Sequence, residues 1–577
     1  MPWSGGLRVR VRPTGGPPIE VSAPAPGSYE VGPVLVEVDH DDRELRWSVR
    51  ASGPAPIALD AVGVVWDAGR AGDDPRMFVN GYQSWSPTRT MRLGVDQDPS
   101  RDPRTLELVR AAFHADPGVA GAGELRSEQV TVLATAASHL RGVGFTGGEH
   151  HAGTIRAQIV DGRVELCAEA WLGGAVLDAG SSRALHPVVV DDGDDASTLL
   201  EAWAGRVGAT GHARVDAPYV VGWCSWYQYF GEVNERVIRD NLALADAWPF
   251  DVFQLDDGYQ RAIGDWLDTN ERFPSGVAGI AEAIAASGRT PGLWLAPFLA
   301  APDSDLARRH PDWLARAPVG DGFAIGMYND AWGGVMAELD TTRPEVLDHL
   351  TATAAALVDA GYRYLKLDFT FSAAMPGRYA DPTRTPAERV RAGYDAVRRG
   401  AGDHVFVVAC GAPIGAVVGS VDAMRIGADV APWWTALPGR GELQPGYEAA
   451  TPATRNAFVN TCTRSFMHRR LWSNDPDCVM LRRDGTQLSE AAATAWGDTV
   501  GCSGGLVLVS DDLGRLGPDA RRRLDDIVER GRAADAASRI GHPPRCDGLF
   551  DPTGPTGVSG SGGRTRVDLA TGRGGVV

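Results

Sequence analysis

The chain has 577 residues, 44% hydrophobic and 23% charged, a composition that excludes a disordered chain and fits roughly two to four folded domains. Its formal charge is −18 and it has no Lys/Arg-rich run, which argues against nucleic acid or anionic membrane as partners and suits a neutral or cationic small ligand. No apolar run reaches the roughly 18 residues of a membrane span, and the N-terminal MPWSGGLRVRVRPTGG lacks the apolar core of a signal peptide, so the expected location is cytoplasmic. The seven cysteines (167, 224, 410, 462, 478, 502 and 546) are odd in number and contain no CxxC pair, the usage of free thiols. Without an HxH or HExxH cluster, neither a metal nor another cofactor is expected.

Residues 1–205 are short alternating segments broken by Gly, Pro and Asp. Leu7-Arg8-Val9-Arg10-Val11-Arg12 alternates strictly, and Leu45–Val49 and Val130–Leu133 are similar. Repeated short strands with turn signals predict an antiparallel β-sandwich. Asp191-Asp192-Gly193-Asp194-Asp195 reads as a turn, and 197–206 as a helix linking to the second domain.

From about 218 short apolar runs alternate with amphipathic stretches such as 235–247 and 344–360. The runs are 220–226, 252–258, 292–298, 364–369, 405–411, 423–430, 470–475 and 505–512. Eight such runs predict a (β/α)8 TIM barrel over 206–530. A doubly wound sheet gives similar alternation but has no need for every strand to end in one crater. Nearly every run ends in a polar residue: Ser225, Asp256, Asp257, Asp368, Cys410, Asp429, Asp475, Asp511. On a barrel these gather at the mouth, where active sites of this fold lie. The segment 300–343 is expected to be an active-site loop. After about 535 the chain is rich in Gly, Pro, Ser and Thr; 552–563 reads as loop and Thr565–Leu569 as one strand, so 531–577 is expected to be a short, truncated β appendage.

One residue stands out by composition. Of 56 cationic side chains, 55 are Arg and one is Lys, Lys366, in the apolar run that ends at Asp368. A compact ammonium and a planar guanidinium are different tools, so Lys366 marks a place where Arg will not serve. Asp429 likewise follows a cation, Arg425, by four residues. Two carboxylates at a barrel mouth can share glycosidic chemistry, one attacking the anomeric carbon and the other moving a proton. Read alone, Asp368–Lys366 and Asp429–Arg425 are equally well structural ion pairs. The 17 Trp, several at strand ends (Trp223, Trp226, Trp294, Trp433, Trp434, Trp472), with Tyr227 beside them, favour a sugar site, since sugar faces stack on such rings. The adjacent Asp256 and Asp257 need a cation or hydroxyl donors nearby.

Taken together, Gly222-Trp223-Cys224-Ser225-Trp226, Gln254-Leu255-Asp256-Asp257-Gly258-Tyr259, Gly264-Asp265-Trp266, Leu295-Ala296-Pro297-Phe298, Lys366-Leu367-Asp368-Phe369, Arg425–Asp429 and Trp472-Ser473-Asn474-Asp475-Pro476-Asp477 resemble the α-galactosidases of glycoside hydrolase family 36, the compact bacterial members above all. The resemblance runs from Asn80 to Asp512. It implies a β-sandwich, a (β/α)8 barrel and a C-terminal β-domain, and retaining hydrolysis with Asp368 as nucleophile and Asp429 as acid/base. It implies further that Asp256 and Asp257 bind the galactose 4- and 6-hydroxyls. Lys366, Cys410 and Arg425 would surround the 2- and 3-hydroxyls, and Trp294, Trp226 and Tyr227 would line the pocket. Asn80-Gly81-Tyr82-Gln83-Ser84-Trp85 matches the segment through which the N-terminal domain lends a Trp, here Trp85. The chain departs from the family in the few residues left for a C-terminal domain.

The expected activity is exo-hydrolysis of terminal α-galactosyl residues from oligosaccharides of the melibiose and raffinose type. The alternatives are galactosyl transfer to a sugar acceptor, α-N-acetylgalactosaminidase activity, and an inactive sugar-binding protein. Oligomeric state is left open.

Overall fold

A computed structural model of the chain describes residue 3 and residues 6–136, 139–437 and 444–577. The first part is two antiparallel sheets, one of six strands and one of eight, sharing one apolar core. The alternation of Leu7–Pro13 works as period 2 demands: Leu7, Val9 and Val11 enter that core while Arg8, Arg10 and Arg12 face away from it. The link is the helix Ala196–Thr210, longer than the expected 197–206 and capped by Asp195, which accepts from Thr198 N–H at 2.8 Å. Its Leu200, Trp203 and Val207 join the core of the second part, and the Trp203 indole N–H donates to Phe145 O at 2.8 Å, so the helix is a packed joint.

The second part is a curled parallel sheet with the strands Val221–Cys224, Val252–Leu255, Thr290–Leu295, Tyr364–Leu367, Phe406–Ala409, Ala423–Arg425, Ser473–Asp475, Cys478–Val479 and Val507–Val509. Each of the eight expected runs overlaps one strand, and in most of them the polar end lies beyond the ladder. The two edges of this sheet, Ser473–Asp475 and Cys478–Val479, are consecutive in the chain, with only Pro476 and Asp477 between them. Proline has no N–H for a ladder, and Asp477 takes a left-handed φ of +86°, so one strand is broken into halves that pair with different neighbours. Helices Gly276–Ala286, Pro344–Asp359, Pro386–Ala401, Glu490–Ser503 and Pro518–Arg539 flank the strands.

Two expectations need correction. The segment 300–343, expected as an active-site loop, has strands of its own: Leu299–Ala300, Ile325–Asn329 and Gly334–Glu338 form a three-stranded antiparallel sheet. Beyond 540, four strands rather than one form an antiparallel sheet: Arg545–Asp547, Gly557–Gly560, Gly563–Val567 and Gly574–Val576. Glycine hides the alternation that signals a strand, and here it also permits close packing: a Cβ at Gly557 would lie 2.1 Å from Thr565 O. All seven cysteines are buried and free. Among the described residues no helix is long and apolar enough to cross a membrane, and no group of three or more His, Cys, Asp or Glu side chains could hold a metal ion.

Candidate active site

In a parallel sheet every C-terminal strand end opens on the same edge. Here that edge collects Asp256 and Asp257 after Val252–Leu255, Asp368 after Tyr364–Leu367, Cys410 after Phe406–Ala409, and Arg425 at the end of its strand. Lys366 is buried between two of them, its Nζ 3.0 Å from Asp256 Oδ2 and 3.8 Å from Asp368 Oδ2. Burial works against its charge, but Asp256 and then Asp368 outweigh that and hold the ammonium well above the ordinary lysine range. Asp256 is further fixed by Gln254 Nε2 at 2.5 Å on Oδ2, while its own N–H donates to Ser225 Oγ at 2.9 Å.

Asp368 accepts on both oxygens. The Trp294 indole N–H reaches Oδ2 at 3.0 Å and the Phe369 N–H reaches Oδ1 at 2.8 Å. The second contact needs an unusual backbone: Phe369 sits at φ +55°, a left-handed conformation that costs a bulky residue of order 1–3 kcal/mol.

Arg425, almost fully buried, reaches three acids. Nη1 donates to Asp429 Oδ1 at 2.9 Å, Nη2 lies 2.9 Å from Asp477 Oδ1, and Nε donates to Asp475 Oδ2 at 3.3 Å. The Tyr227 hydroxyl donates to Asp477 Oδ2, which also receives Val430 N–H at 2.9 Å and so ties the chain beside Asp429 to the broken strand. Six carboxyl groups (Asp256, Asp257, Asp368, Asp429, Asp475, Asp477) thus share one region with two cations, too few to neutralise them all. Burial, then Asp477 and Asp368, push Asp429 up to about 7 against the pull of Arg425. Its side chain keeps 33% of its surface open, so water limits that rise, and access to solvent suits a group that exchanges protons. Burial likewise raises Asp257 to about 6, opposed by its two hydrogen-bond donors Gln260 and Trp332.

Trp85 arrives from the sandwich. Its ring lies 5.0 Å from Phe369, edge to face, and the segment carrying it is held by main-chain bonds: Ser84 N–H to Ala412 O at 3.2 Å and Ile414 N–H to Tyr82 O at 3.0 Å. Arg464 completes the clamp. It is fully buried, and its guanidinium donates to four carbonyls, those of Ser84 (2.7 Å), Ile426 (2.9 Å), Gly81 (3.1 Å) and Gln83 (3.2 Å). Cys410 is buried among Asp368, Arg425 and Lys366, and burial raises its thiol pKa well above the usual range. Trp226 is the outlier: it is half-buried against Phe230 at 5.2 Å, and no hydrogen bond among the described residues joins it to the carboxylates.

Sequence reasoning missed Trp332, Gln260, Arg464 and the use of Asp477. Only Asp477 had a signal, standing after a proline that interrupts a strand. Asp511, named as a strand end, pairs with Arg482 at 2.7 Å and fits a structural ion pair.

Comparison with known proteins adds to this geometry. The melibiase family model matches residues 221–391, which include Asp256, Asp257, Trp294, Lys366 and Asp368 and stop before Asp429. Over 152 residues the chain is 28% identical to α-galactosidase AgaA of Geobacillus stearothermophilus, covering 25% of this chain and 20% of that protein. Over 133 residues it is 27% identical to the Escherichia coli α-galactosidase, covering 22% and 18%. These matched segments span about a fifth of the curated relatives' length. Among solved structures, the Thermus thermophilus α-galactosidase TtGalA in complex with p-nitrophenyl α-D-galactopyranoside superposes with a TM-score of 0.66 at 27% identity, over 90% of this chain and 94% of that one. AgaA superposes with a TM-score of 0.58 at 14% identity, over 92% and 68%, a likeness of fold.

Site and comparisons together support a glycoside hydrolase. More narrowly, the chain is similar to α-galactosidases, in sequence over the melibiase match and in fold over most of its length.

Proposed function

We propose that the chain is a retaining exo-α-galactosidase acting on oligosaccharides of the melibiose and raffinose type, with Asp368 as nucleophile and Asp429 as acid/base. The observation that carries this reading is the unequal setting of the two acids. Asp368 accepts from the Trp294 and Phe369 N–H groups and lies 3.8 Å from the ammonium, whereas Asp429 is partly open and pushed up to about 7. One is set to offer an oxygen, the other to hold a proton at neutral pH. In the first step Asp368 forms a bond to the anomeric carbon as the glycosidic bond breaks, and the Asp429 proton goes to the departing oxygen. In the second, Asp429 takes a proton from water, which attacks the same carbon and releases Asp368. Lys366, Cys410 and Arg425 would border the ring 2- and 3-hydroxyls, and Asp256 and Asp257 the 4- and 6-hydroxyls. Trp85, Trp226, Tyr227 and Trp294 would form the walls.

The stachyose complex of TtGalA supports oligosaccharide substrates. The broken edge strand supports a complete (β/α)8 barrel over 206–530 between a sandwich at 1–205 and a β region at 531–577, with the helix Pro518–Arg539 running across the last boundary. Seven buried free thiols support a cytoplasmic location.

Rates on nitrophenyl α-galactoside, α-N-acetylgalactosaminide and α-glucoside test the substrate, and Asp368→Gly tests the nucleophile. We expect cleavage of the galactoside, its loss in the variant, and partial recovery with azide, which fills the emptied face. Undiminished activity without azide removes Asp368 from this role.

A further inference from the structure

The three-stranded sheet of residues 299–338 delivers an indole to the site. Trp332 stands at the tip of the hairpin made by Ile325–Asn329 and Gly334–Glu338. The tip is shaped for this. Asn329 Oδ1 accepts from Ala331 N–H at 3.0 Å to start the turn, and Gly333 and Gly334 reverse the chain at φ +89° and +115°, where other residues are strained. Its neighbours Tyr328 and Ile325 are exposed, at 57% and 39%. Trp332 instead reaches inward: Nε1–H donates to Asp257 Oδ2 at 2.8 Å, and its ring lies 5.0 Å from Phe369 and 5.9 Å from Trp294. Those two residues are the ones that donate to Asp368. Trp332 therefore packs against the surroundings of one acid while bonding another.

Asp257 is held from both ends, with Gln260 Nε2 on Oδ1 at 2.6 Å and Trp332 on Oδ2. Each carboxylate oxygen has two lone pairs, so each keeps one acceptor site, and the two donors fix where those sites point. Asp256, 2% exposed, is tied through Lys366 to Asp368, whereas Asp257, 7% exposed, is held by the hairpin and Gln260, two neutral donors. Of the two acids expected at the 4- and 6-hydroxyls, the one aimed by fixed neutral donors suits the hydroxyl on the exocyclic carbon, which rotates freely unless an acceptor holds it.

We infer that Trp332 is a specificity-determining residue: it aims Asp257 at the exocyclic hydroxyl of the galactosyl ring and closes the pocket on that side. The inference rests on the proposed α-galactosidase activity. It separates two functions of the indole, an N–H that orients an acceptor and a ring that forms a wall, and only the first depends on the substrate hydroxyl.

The test compares kcat/KM of the full chain and its variants on 4-nitrophenyl α-D-galactopyranoside and on the 6-deoxy analogue, 4-nitrophenyl α-D-fucopyranoside. Trp332→Phe keeps a ring and loses the N–H. It is expected to lower kcat/KM on the galactoside by about tenfold, the scale of one hydrogen bond to a charged group, and to change the 6-deoxy substrate by less than about twofold. Trp332→His, which retains a ring N–H, should recover part of the preference and guards against a variant that simply folds poorly. An equal loss on both substrates, or no loss on either, overturns the inference. A wild-type chain that cleaves neither substrate overturns the α-galactosidase reading itself, and this inference with it.

Discussion

Lys366 shows what one side chain can contribute in a chain that otherwise uses arginine. Its ammonium lies between Asp256 and Asp368 in a position only 6% exposed. A guanidinium is larger and fixes its donors in a plane, so Lys366→Arg should displace Asp368 and lower kcat/KM on a nitrophenyl α-galactoside by about a hundredfold, the scale of an ångström-sized misplacement. Wild-type kinetics in that variant would mean that the lysine has no special use. Asp429 yields a different signature. With its proton held up to about 7, the active acid form is lost as pH rises through that value, so kcat/KM on unactivated galactosides should fall on the alkaline side. Asp429→Ala should remove that limb and harm poor leaving groups far more than nitrophenyl ones. An equal loss on both would make Asp429 a binding group.

At the scale of elements, strand ends were the most legible part of the sequence. Asp256, Asp257 and Asp368 fall where apolar runs stop, because a buried parallel strand is apolar along its length and its end is free to be polar. Trp332 was not legible, since a hairpin tip between glycines carries no periodicity and its acid partner lies 75 residues away. Arg464 was hidden for another reason: its partners are carbonyls, which every residue has. The joint between the antiparallel sheets and the helix Pro386–Ala401 was equally hidden, and it carries a pH dependence. His150 N–H donates to His186 Nε2 at 3.2 Å, His186 N–H donates to His151 Nε2 at 2.8 Å, and His151 Nδ1 lies 2.9 Å from Ala152 O. Glu149 and the helix residue Glu388 face this group, with Arg183 bonded to Glu388. Burial holds His151 well below the ordinary histidine range and lowers His186 to about 4. An unfolded histidine takes up its proton near pH 6.5, the folded ones only later, so stability present at neutral pH is lost as pH falls from about 6.5 toward 4. His151→Gln can accept and donate in the same places without titrating. Its Tm should therefore fall less than that of wild type between pH 7 and pH 5, and an equal fall would place the acid sensitivity elsewhere.

At the scale of the whole molecule, the site is assembled by several parts of the chain. The sandwich supplies Trp85, the curled sheet supplies the acids, and the inserted sheet supplies Trp332. The helix Glu107–Phe113 of the N-terminal part packs its Ala111 with Phe371 and Met375 just beyond Asp368, adding a second contact across the same seam. The proposed reaction has two of these carboxyl groups act in turn at one carbon. If Asp368 attacks covalently and Asp429 first gives and then takes a proton, the anomeric centre inverts twice. Following the anomeric proton by NMR during the first minutes of hydrolysis of a nitrophenyl α-galactoside tests this most directly. The account predicts α-galactose first, with the β-anomer appearing only by mutarotation; β-galactose as the first product would contradict it.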